Sequence, residues 1–282
     1  MIKPTAIPRP VYYIVFLVLI LFGCAAERKA GSSLLSKRIS YSSQQVGDSF
    51  DIHITLPPGY DRSQESYPVI YYMDANLKSG KKLRTIIDGF NKKDSPIKAI
   101  FVGVGHFSNY RVLRRRDFIT PFVKDKNDSL ISDDKYFGQS EHFYFFMKQE
   151  LIPYMEKHYR VTANRSYIGH SLGGLFAFYC LFRKERLFNN IVSLSPALWI
   201  NHGNIYEFEK RYYQDSSSLH ANLYLCVGSQ ERFNFILSGS RDMHSFLQQR
   251  NYRGLQFTYH EFEGESHNSE VPLALSMILP QL

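Results

Sequence analysis

The alternation of strand-like and helix-like segments, from about residue 49 to the end of the chain, most constrains the fold. Residues 67–74 (YPVIYYMD) and 97–105 (IKAIFVGVG) are continuous apolar runs, which is the pattern of strands buried on both faces of a sheet. Strands that alternate with helices form βαβ units, with a mostly parallel sheet and right-handed crossovers. The sequence therefore predicts an α/β fold in which helices flank a mostly parallel central sheet on both faces.

Further segments extend this pattern through one domain, residues 46–282. SFDIHIT, from residue 49, alternates apolar and polar residues as a strand does. Later strands are predicted in RSYIG, NNIVSLSP, NLYLCVGS and LQFTYHEFE, and helices in KKLRTIIDGF, SEHFYFFMKQELIPYMEKHY, LGGLFAFYCLFRKE, IYEFEKRYYQD and SRDMHSFLQQR, with a last helix from about Ser269. Residues 106–137 are charged and have no period, which predicts an irregular segment.

The N-terminus predicts export and a lipid anchor. Basic residues precede twelve apolar residues, Val11 to Phe22, which would rise only about 18 Å as a helix, against about 30 Å for a bilayer core. Residues 1–23 therefore resemble a secretory signal peptide, and LFGC resembles a bacterial lipobox whose Cys24 receives the lipid. An uncleaved anchor helix is the alternative. Residues 24–45 are polar and predict a flexible tether, so we expect the domain in the bacterial cell envelope, periplasmic or at the outer membrane.

The net charge indicates which kinds of partner the protein binds, and the positions of the cysteines indicate whether a disulfide forms. The formal net charge is +8, which in an exported protein favours anionic lipid or an acidic substrate and not nucleic acid. Cys180 and Cys226 lie in apolar runs, which predicts buried free thiols and not a disulfide. The sequence has no HExxH, paired CxxC or nucleotide-binding glycine motif, so it predicts neither a metal nor an organic cofactor.

The pentapeptide Gly169-His170-Ser171-Leu172-Gly173 lies between a strand-like segment and an apolar helix. A tight strand-to-helix turn of this kind, a nucleophile elbow, strains the backbone at the serine and needs small residues at Gly169 and Gly173. The turn exposes the hydroxyl at a helix N-terminus, which favours negative charge. The pattern predicts that Ser171 is a nucleophile, the alternative being the polar end of a glycine turn.

A serine nucleophile needs a histidine base and usually a carboxylate, in the order Ser, acid, His in α/β-hydrolases. His244 and His260 fall inside a predicted helix and strand, whereas His267 lies in a loop after the last strand, so it is the predicted base. Glu231 follows the strand NLYLCVGS by a short turn and is the predicted acid. A Ser171–His267 dyad that works without an acid is the alternative.

The oxyanion of acyl transfer also needs hydrogen-bond donors. The amide of Leu172, directly after the nucleophile, is one expected donor. The second is expected in the loop after YPVIYYMD, at Ala75 or Asn76.

Five blocks of sequence together resemble the esterase family related to esterase D. They are LPPGYDRSQESYPVIYYMDA, RRRDFITP, ELIPYMEKHYRVTANRSYIGHSLGGLFAFY, LFNNIVSLSPALW and GESHNS. This family includes enterochelin and other trilactone siderophore esterases, feruloyl and acetylxylan esterases, and mycolyltransferases. The resemblance implies an α/β-hydrolase fold and a serine esterase without a cofactor, and it supports Ser171, Glu231 and His267. Where this family often has Asp-Gly, the chain has Asp74-Ala75.

Two residues in these blocks are candidates for substrate binding. Arg116, in the run Arg114-Arg115-Arg116, would favour an anionic substrate if it lined the cleft, and an ion pair with Asp117 that holds the loop is the alternative. A charge run is otherwise often a solvated face. Trp199 would stack on an aromatic group of the substrate, or else belong to the core.

The sequence thus favours a serine carboxylesterase acting on a small-molecule or polysaccharide ester. The substrate remains open between a catecholate siderophore ester and a feruloyl or acetyl ester. Acyl transfer to another alcohol on the same scaffold is one alternative, and a non-catalytic binding lipoprotein is another, since fold does not determine function.

Overall fold

The computed structural model describes residues 35–91, 96–121 and 137–282. The predicted signal peptide and Cys24 lie outside these residues. An eight-stranded sheet forms the centre of the domain, in the order β1-β2-β4-β3-β5-β6-β7-β8. The strands are β1 Ser36–Ser43, β2 Asp48–Thr55, β3 Tyr67–Met73, β4 Ile100–His106, β5 Val161–His170, β6 Asn190–Leu194, β7 Ser218–Gly228 and β8 Arg253–Phe262.

Strands β3 to β8 pair in parallel, and β1 and β2 pair antiparallel at one edge. The helices are α1 Lys78–Asn91, α2 Tyr110–Phe118, α3 Ser140–Phe145, α4 Ile152–His158, α5 Leu172–Leu181, α6 Ile200–Gly203, α7 Ile205–Asp215, α8 Asn234–Arg250 and α9 Glu270–Ile278. A π-helical turn, Phe146–Leu151, joins α3 to α4, and 3₁₀ turns cover Tyr60–Arg62 and Leu279–Gln281. The predicted α/β fold is confirmed, and its topology is that of an α/β-hydrolase.

Apolar side chains cover both faces of the sheet at its centre, where strands such as β3, β4 and β6 are buried on both sides. Helix α5 is buried from Gly173 to Leu181, which explains why its sequence is apolar all round. Cys180 and Cys226 are buried free thiols, as the sequence predicts. Within the described ranges, no helix has the length and apolarity needed to span a bilayer.

Two segments differ from the sequence-based expectation. Part of the expected tether, Ser36–Ser43, is the edge strand β1, so the domain begins before residue 46. Only Ile39 and Tyr41 of this strand pack against the core, because an edge strand pairs on one side only, and two apolar residues are too few to indicate a strand. The segment 106–137, expected to be irregular, contains helix α2, whose Arg114 and Arg116 pair with carboxylates from other elements.

Candidate active site

Ser171 occupies the turn between β5 and α5. Its backbone has φ 58° and ψ −113°, a sparsely populated conformation that the surrounding packing must maintain. A side chain at Gly169 would place Cβ 2.1 Å from the carbonyl oxygen of Gly173, so only glycine fits there. A Cβ at Gly173 would lie 3.5 Å from Cβ of Met73, which is an ordinary contact. The expectation that both positions must be small therefore holds for Gly169 alone.

The N-terminus of α5 and the loop after β3 supply the candidate oxyanion donors. Leu172 is the first residue of α5, so its amide has no partner within the helix. The amide of Ala75 donates to the carbonyl oxygen of Val104 at 3.1 Å and is therefore already engaged. The amide of Asn76 has no hydrogen-bond partner among the described residues, which leaves Asn76 as the second candidate of the two.

His267 and Glu231 meet at the ends of β8 and β7. The Nδ1 of His267 lies 2.9 Å from Oε2 of Glu231, whose side chain is fully buried. The loop that carries His267 passes close to the end of β7, where a Cβ at Gly228 would lie 2.3 Å from the carbonyl oxygen of Glu265. The imidazole itself is 24% exposed, so it is held on one side by a buried carboxylate and open to the cleft on the other.

His170 supports the same loop, a role that sequence reasoning missed. Its Nε2 lies 2.6 Å from the carbonyl oxygen of His267, and the two rings are 4.5 Å apart. Burial lowers the pKa of His170 to about 3, so it is neutral and donates the Nε2 proton to that carbonyl. From the other side, the ammonium of Lys82 donates to the carbonyl oxygen of Asn268 at 3.0 Å.

Ser195 and Glu270 extend the site behind Glu231, and nothing in the local sequence identified them. Ser195 follows β6 with φ 41°, and its Oγ lies 2.5 Å from Oε1 of Glu231. The same Oγ lies 2.9 Å from Oε1 of Glu270, at the start of α9. Both carboxyl groups are buried.

The structure places Arg114, and not Arg116, beside the nucleophile. The guanidinium of Arg116 is buried between Asp117 and Asp48, at 2.6 and 2.8 Å, so the choice of Arg116 as a substrate contact has no support in its position. Arg114 forms two hydrogen bonds to Asp74, at 2.7 and 2.9 Å, and lines the cavity at Ser171. Both residues lie on α2, on different sides of the helix.

Two cavities open at the nucleophile, and both are lined by Ser171 and His267. The first, about 320 Å³, adds Asp74, Lys78, Tyr110 and Arg114 among its lining residues. The second, about 430 Å³, adds Trp199, Arg232, Phe233 and Ile236. A larger cavity of about 580 Å³ lies elsewhere, and three of its cations, Lys148, Arg183 and Lys184, are paired with carboxylates.

The second cavity has an aromatic wall. The ring of Trp199 lies 4.3 Å from that of Phe235, which in turn stacks on Phe233 at 5.2 Å. Phe233 and Phe235 are 48% and 43% exposed, and the guanidinium of Arg232 lies 5.4 Å from the Phe233 ring centre. Of these four residues, only Trp199 was a candidate from the sequence, because Arg232, Phe233 and Phe235 lie at a loop and helix start without a motif.

The described ranges contain no group of three or more His, Cys, Asp and Glu residues that could hold a metal ion. The cleft itself brings together a strained serine, a histidine oriented by a buried carboxylate, and an amide donor at a helix N-terminus. These are the parts that acyl transfer through a covalent serine intermediate requires.

Comparison with known proteins agrees with this chemistry. Residues 43–281 match the family described as "Putative esterase". Over 249 residues the chain is 28% identical to the ferri-bacillibactin esterase BesA of Bacillus subtilis, an alignment that covers 84% of this chain and 86% of BesA. It is 26% identical over 192 residues to the siderophore enterobactin esterase of Emericella nidulans, covering 64% and 63% of the two chains.

A solved structure, that of the BES protein from Bacillus cereus, is 31% identical and superposes with a TM-score of 0.70. The superposition covers 86% of this chain and 94% of that protein. The match to the family extends over nearly all of the described domain, from the end of β1 to the C-terminal turn. The chain therefore belongs to this esterase family, and it is a serine hydrolase of carboxylic esters.

Proposed function

We propose that this esterase hydrolyses esters of siderophores that carry anionic aromatic groups. The observation that carries the proposal is the second cavity, which combines the aromatic side chains of Trp199 and Phe233 with the guanidinium of Arg232. Phe235 packs against both aromatic rings. Aromatic faces stack on planar rings, and a guanidinium attracts negative charge and stacks as well. Two relatives named as siderophore esterases support the same substrate class.

In the proposed mechanism, Ser171 Oγ attacks the ester carbonyl while Nε2 of His267 accepts its proton. Glu231 holds Nδ1 of the imidazole and stabilises the positive charge that forms on the ring. The amides of Leu172 and Asn76 donate to the developing oxyanion. His267 then protonates the leaving alcohol, and the acyl group on Ser171 is released when water, activated by His267, attacks it.

The first test compares hydrolysis of 4-nitrophenyl acetate, a ferric catecholate trilactone and a feruloyl ester by the wild type and Ser171→Ala. We expect Ser171→Ala to abolish turnover of all three, and the trilactone to have the highest kcat/KM in the wild type. Turnover that survives in Ser171→Ala would contradict the assigned nucleophile. A preference for the feruloyl ester would instead make plant-wall esters the substrate, which the same aromatic wall would also accept.

A substitution at Arg232 distinguishes recognition of the substrate's negative charge from general esterase activity. Arg232→Gln removes a cation at the second cavity, so we expect kcat/KM for the anionic trilactone to fall about fivefold, which corresponds to about 1 kcal/mol, typical of an exposed charge pair. Hydrolysis of neutral 4-nitrophenyl acetate would stay the same. Arg62→Gln, in the turn before β3 and so at the ends of the strands away from Ser171, is the matched control for net charge. An equal loss there would exclude a specific contact.

We also propose that the chain is exported and attached to a membrane through lipid on Cys24, with residues 1–23 removed. The lipobox-like LFGC and the short apolar run before it support this proposal. Labelling cells with a palmitate analogue tests it. We expect the wild type to be labelled and Cys24→Ser to be unlabelled, and an unlabelled wild type would contradict the anchor.

A further inference from the structure

A buried pair of carboxyl groups shares one hydroxyl group behind the catalytic histidine. Oγ of Ser195 lies 2.5 Å from Oε1 of Glu231 and 2.9 Å from Oε1 of Glu270. Both distances are in hydrogen-bond range, and Glu270 is fully buried. The other oxygen of Glu231 already accepts from His267, so Ser195 joins Glu270 to the candidate triad.

The number of available protons determines which group donates in each of these hydrogen bonds. A serine hydroxyl has one proton and can donate to only one of the two carboxyl oxygens. If both groups were carboxylates, the second contact to Ser195 would join two acceptors without a proton. One carboxyl group must therefore supply its own proton, and Glu231, which accepts from His267 Nδ1, is the ionised one.

The surroundings of Glu270 favour its neutral form. Its Oε2 is buried and has no hydrogen-bond partner among the residues that the structure describes, which an ionised carboxylate would tolerate poorly. The charged or titratable groups around it are Glu231 after β7, Glu265 after β8, Lys82 on α1 and Cys226 on β7. Lys82 is exposed and donates to the carbonyl oxygen of Asn268, and the described residues show no ion pair between it and Glu270.

We propose that Glu270 is a neutral carboxylic acid that positions Glu231 through Ser195. The O–H of Glu270 donates to Ser195 Oγ, the O–H of Ser195 donates to Glu231 Oε1, and Nδ1–H of His267 donates to Glu231 Oε2. This inference rests on the proposed roles of Glu231 and His267. Glu270 touches no substrate, so it is a positioning residue.

The arrangement gives Glu231 two donors without placing a second negative charge beside the base. Burial, and then the nearby charge of Glu231, raise the pKa of Glu270 to about 8. When Glu270 ionises above this pH, it competes for the only proton of Ser195. Glu231 then loses a donor, and we expect catalysis to decline.

The test compares Glu270→Gln with Glu270→Ala on 4-nitrophenyl acetate from pH 6 to 10. A glutamine amide donates to Ser195 at every pH, so Glu270→Gln should keep activity within about threefold of the wild type at pH 7. It should also lose the decline above pH 8. Glu270→Ala and Ser195→Ala should each lower kcat about ten- to a hundredfold, a loss of the size seen when a residue that orients a catalytic group is removed.

Glu209→Gln is the matched control, because Glu209 is a buried carboxyl group held by Tyr252 and Arg250 far from the cleft. Its pH profile should be that of the wild type. Equal losses in Glu270→Gln and Glu270→Ala would overturn the proposal, because they would mean that the negative charge is needed. Superimposable pH profiles of the wild type and Glu270→Gln would also overturn it.

Infrared spectroscopy tests the proton on Glu270 without relying on activity. The carbonyl stretch of a protonated carboxyl group should be present in the wild type at pH 7 and absent from Glu270→Gln, and it should disappear as the pH rises above about 8. A spectrum without this band would overturn the neutral assignment. If the band is present and Ser171→Ala retains full activity, the proposed mechanism is wrong while the protonation of Glu270 stands.

Discussion

Arg114 and Arg116, both on α2, differ in the carboxylates with which they pair. Arg116 bridges Asp117 and Asp48 in a buried network that also includes His106, whose Nε2 lies 2.7 Å from Asp117. Arg114 instead reaches the cleft and binds Asp74, which has φ 62° in the loop after β3. One arginine therefore stabilises the packing of α2, and the other shapes the loop near the oxyanion donors.

Alanine substitutions should separate these two roles. Arg116→Ala leaves the buried carboxylate of Asp117 without its main cationic partner, so we expect about 3–5 kcal/mol loss of unfolding free energy. Its kcat per folded molecule should stay near that of the wild type. Arg114→Ala should lower kcat for 4-nitrophenyl acetate at least about tenfold with a smaller loss of stability. Urea unfolding and initial rates check both, and the reverse pattern would contradict the assignment.

The nucleophile was predictable from sequence because its turn is local, five residues that need one glycine and one strained serine. The choice between Arg114 and Arg116 was not, because it depends on which carboxylates approach α2 from β2 and β3. Those partners lie 40 to 68 positions away in the chain. Adjacent residues of one charge run cannot be told apart by composition or spacing alone.

At the scale of elements, β1 closes the antiparallel edge of the sheet. It pairs with β2 along all eight residues, from Ser36 with Thr55 to Ser43 with Asp48. Arg38 forms a two-bond ion pair with Asp51, and the side chains of Ile39 and Tyr41 pack against the core. Removing β1 would expose both these contacts and the edge of β2.

A chain that begins at residue 45 should therefore be less stable than one that begins at residue 35. Loss of two partly buried apolar side chains corresponds to about 2–4 kcal/mol, which would lower Tm by roughly 5–15 °C. Thermal unfolding followed by fluorescence measures the difference. Equal midpoints for the two chains would show that β1 contributes nothing to the folded domain.

For the molecule as a whole, the shifted pKa values of His170 and Glu270 make the free energy of unfolding depend on pH in opposite directions. The pKa of His170 falls from 6.5 to about 3 by burial, so the unfolded chain binds the extra proton and stability decreases as pH falls from 6.5 toward 3. The pKa of Glu270 rises from 4.5 to about 8, chiefly by burial, so the folded chain binds the extra proton. Its effect decreases stability as pH rises from 4.5 to 8.

Between pH 6.5 and 8, only Glu270 of this pair still changes the unfolding free energy. We expect the difference in stability between Glu270→Gln and the wild type to shift in favour of the variant by about 1–2 kcal/mol across this interval. Urea unfolding at pH 6.5, 7.2 and 8 measures the shift. A constant difference across the interval would mean that Glu270 does not titrate there.

The α/β class, the nucleophile turn and the family follow from the amino-acid sequence, because hydrophobic periodicity and short motifs are local properties of a chain. The sequence also indicates His267 and Glu231 as candidates, since both follow predicted strands and parallel strands end on the same side of their sheet. Three features become visible in the folded chain alone: β1 belongs to the sheet, the Ala75 amide is engaged, and Ser195 joins Glu270 to Glu231. These features are contacts between residues distant in the chain, and no local pattern encodes which of several polar side chains will meet when the strands pair.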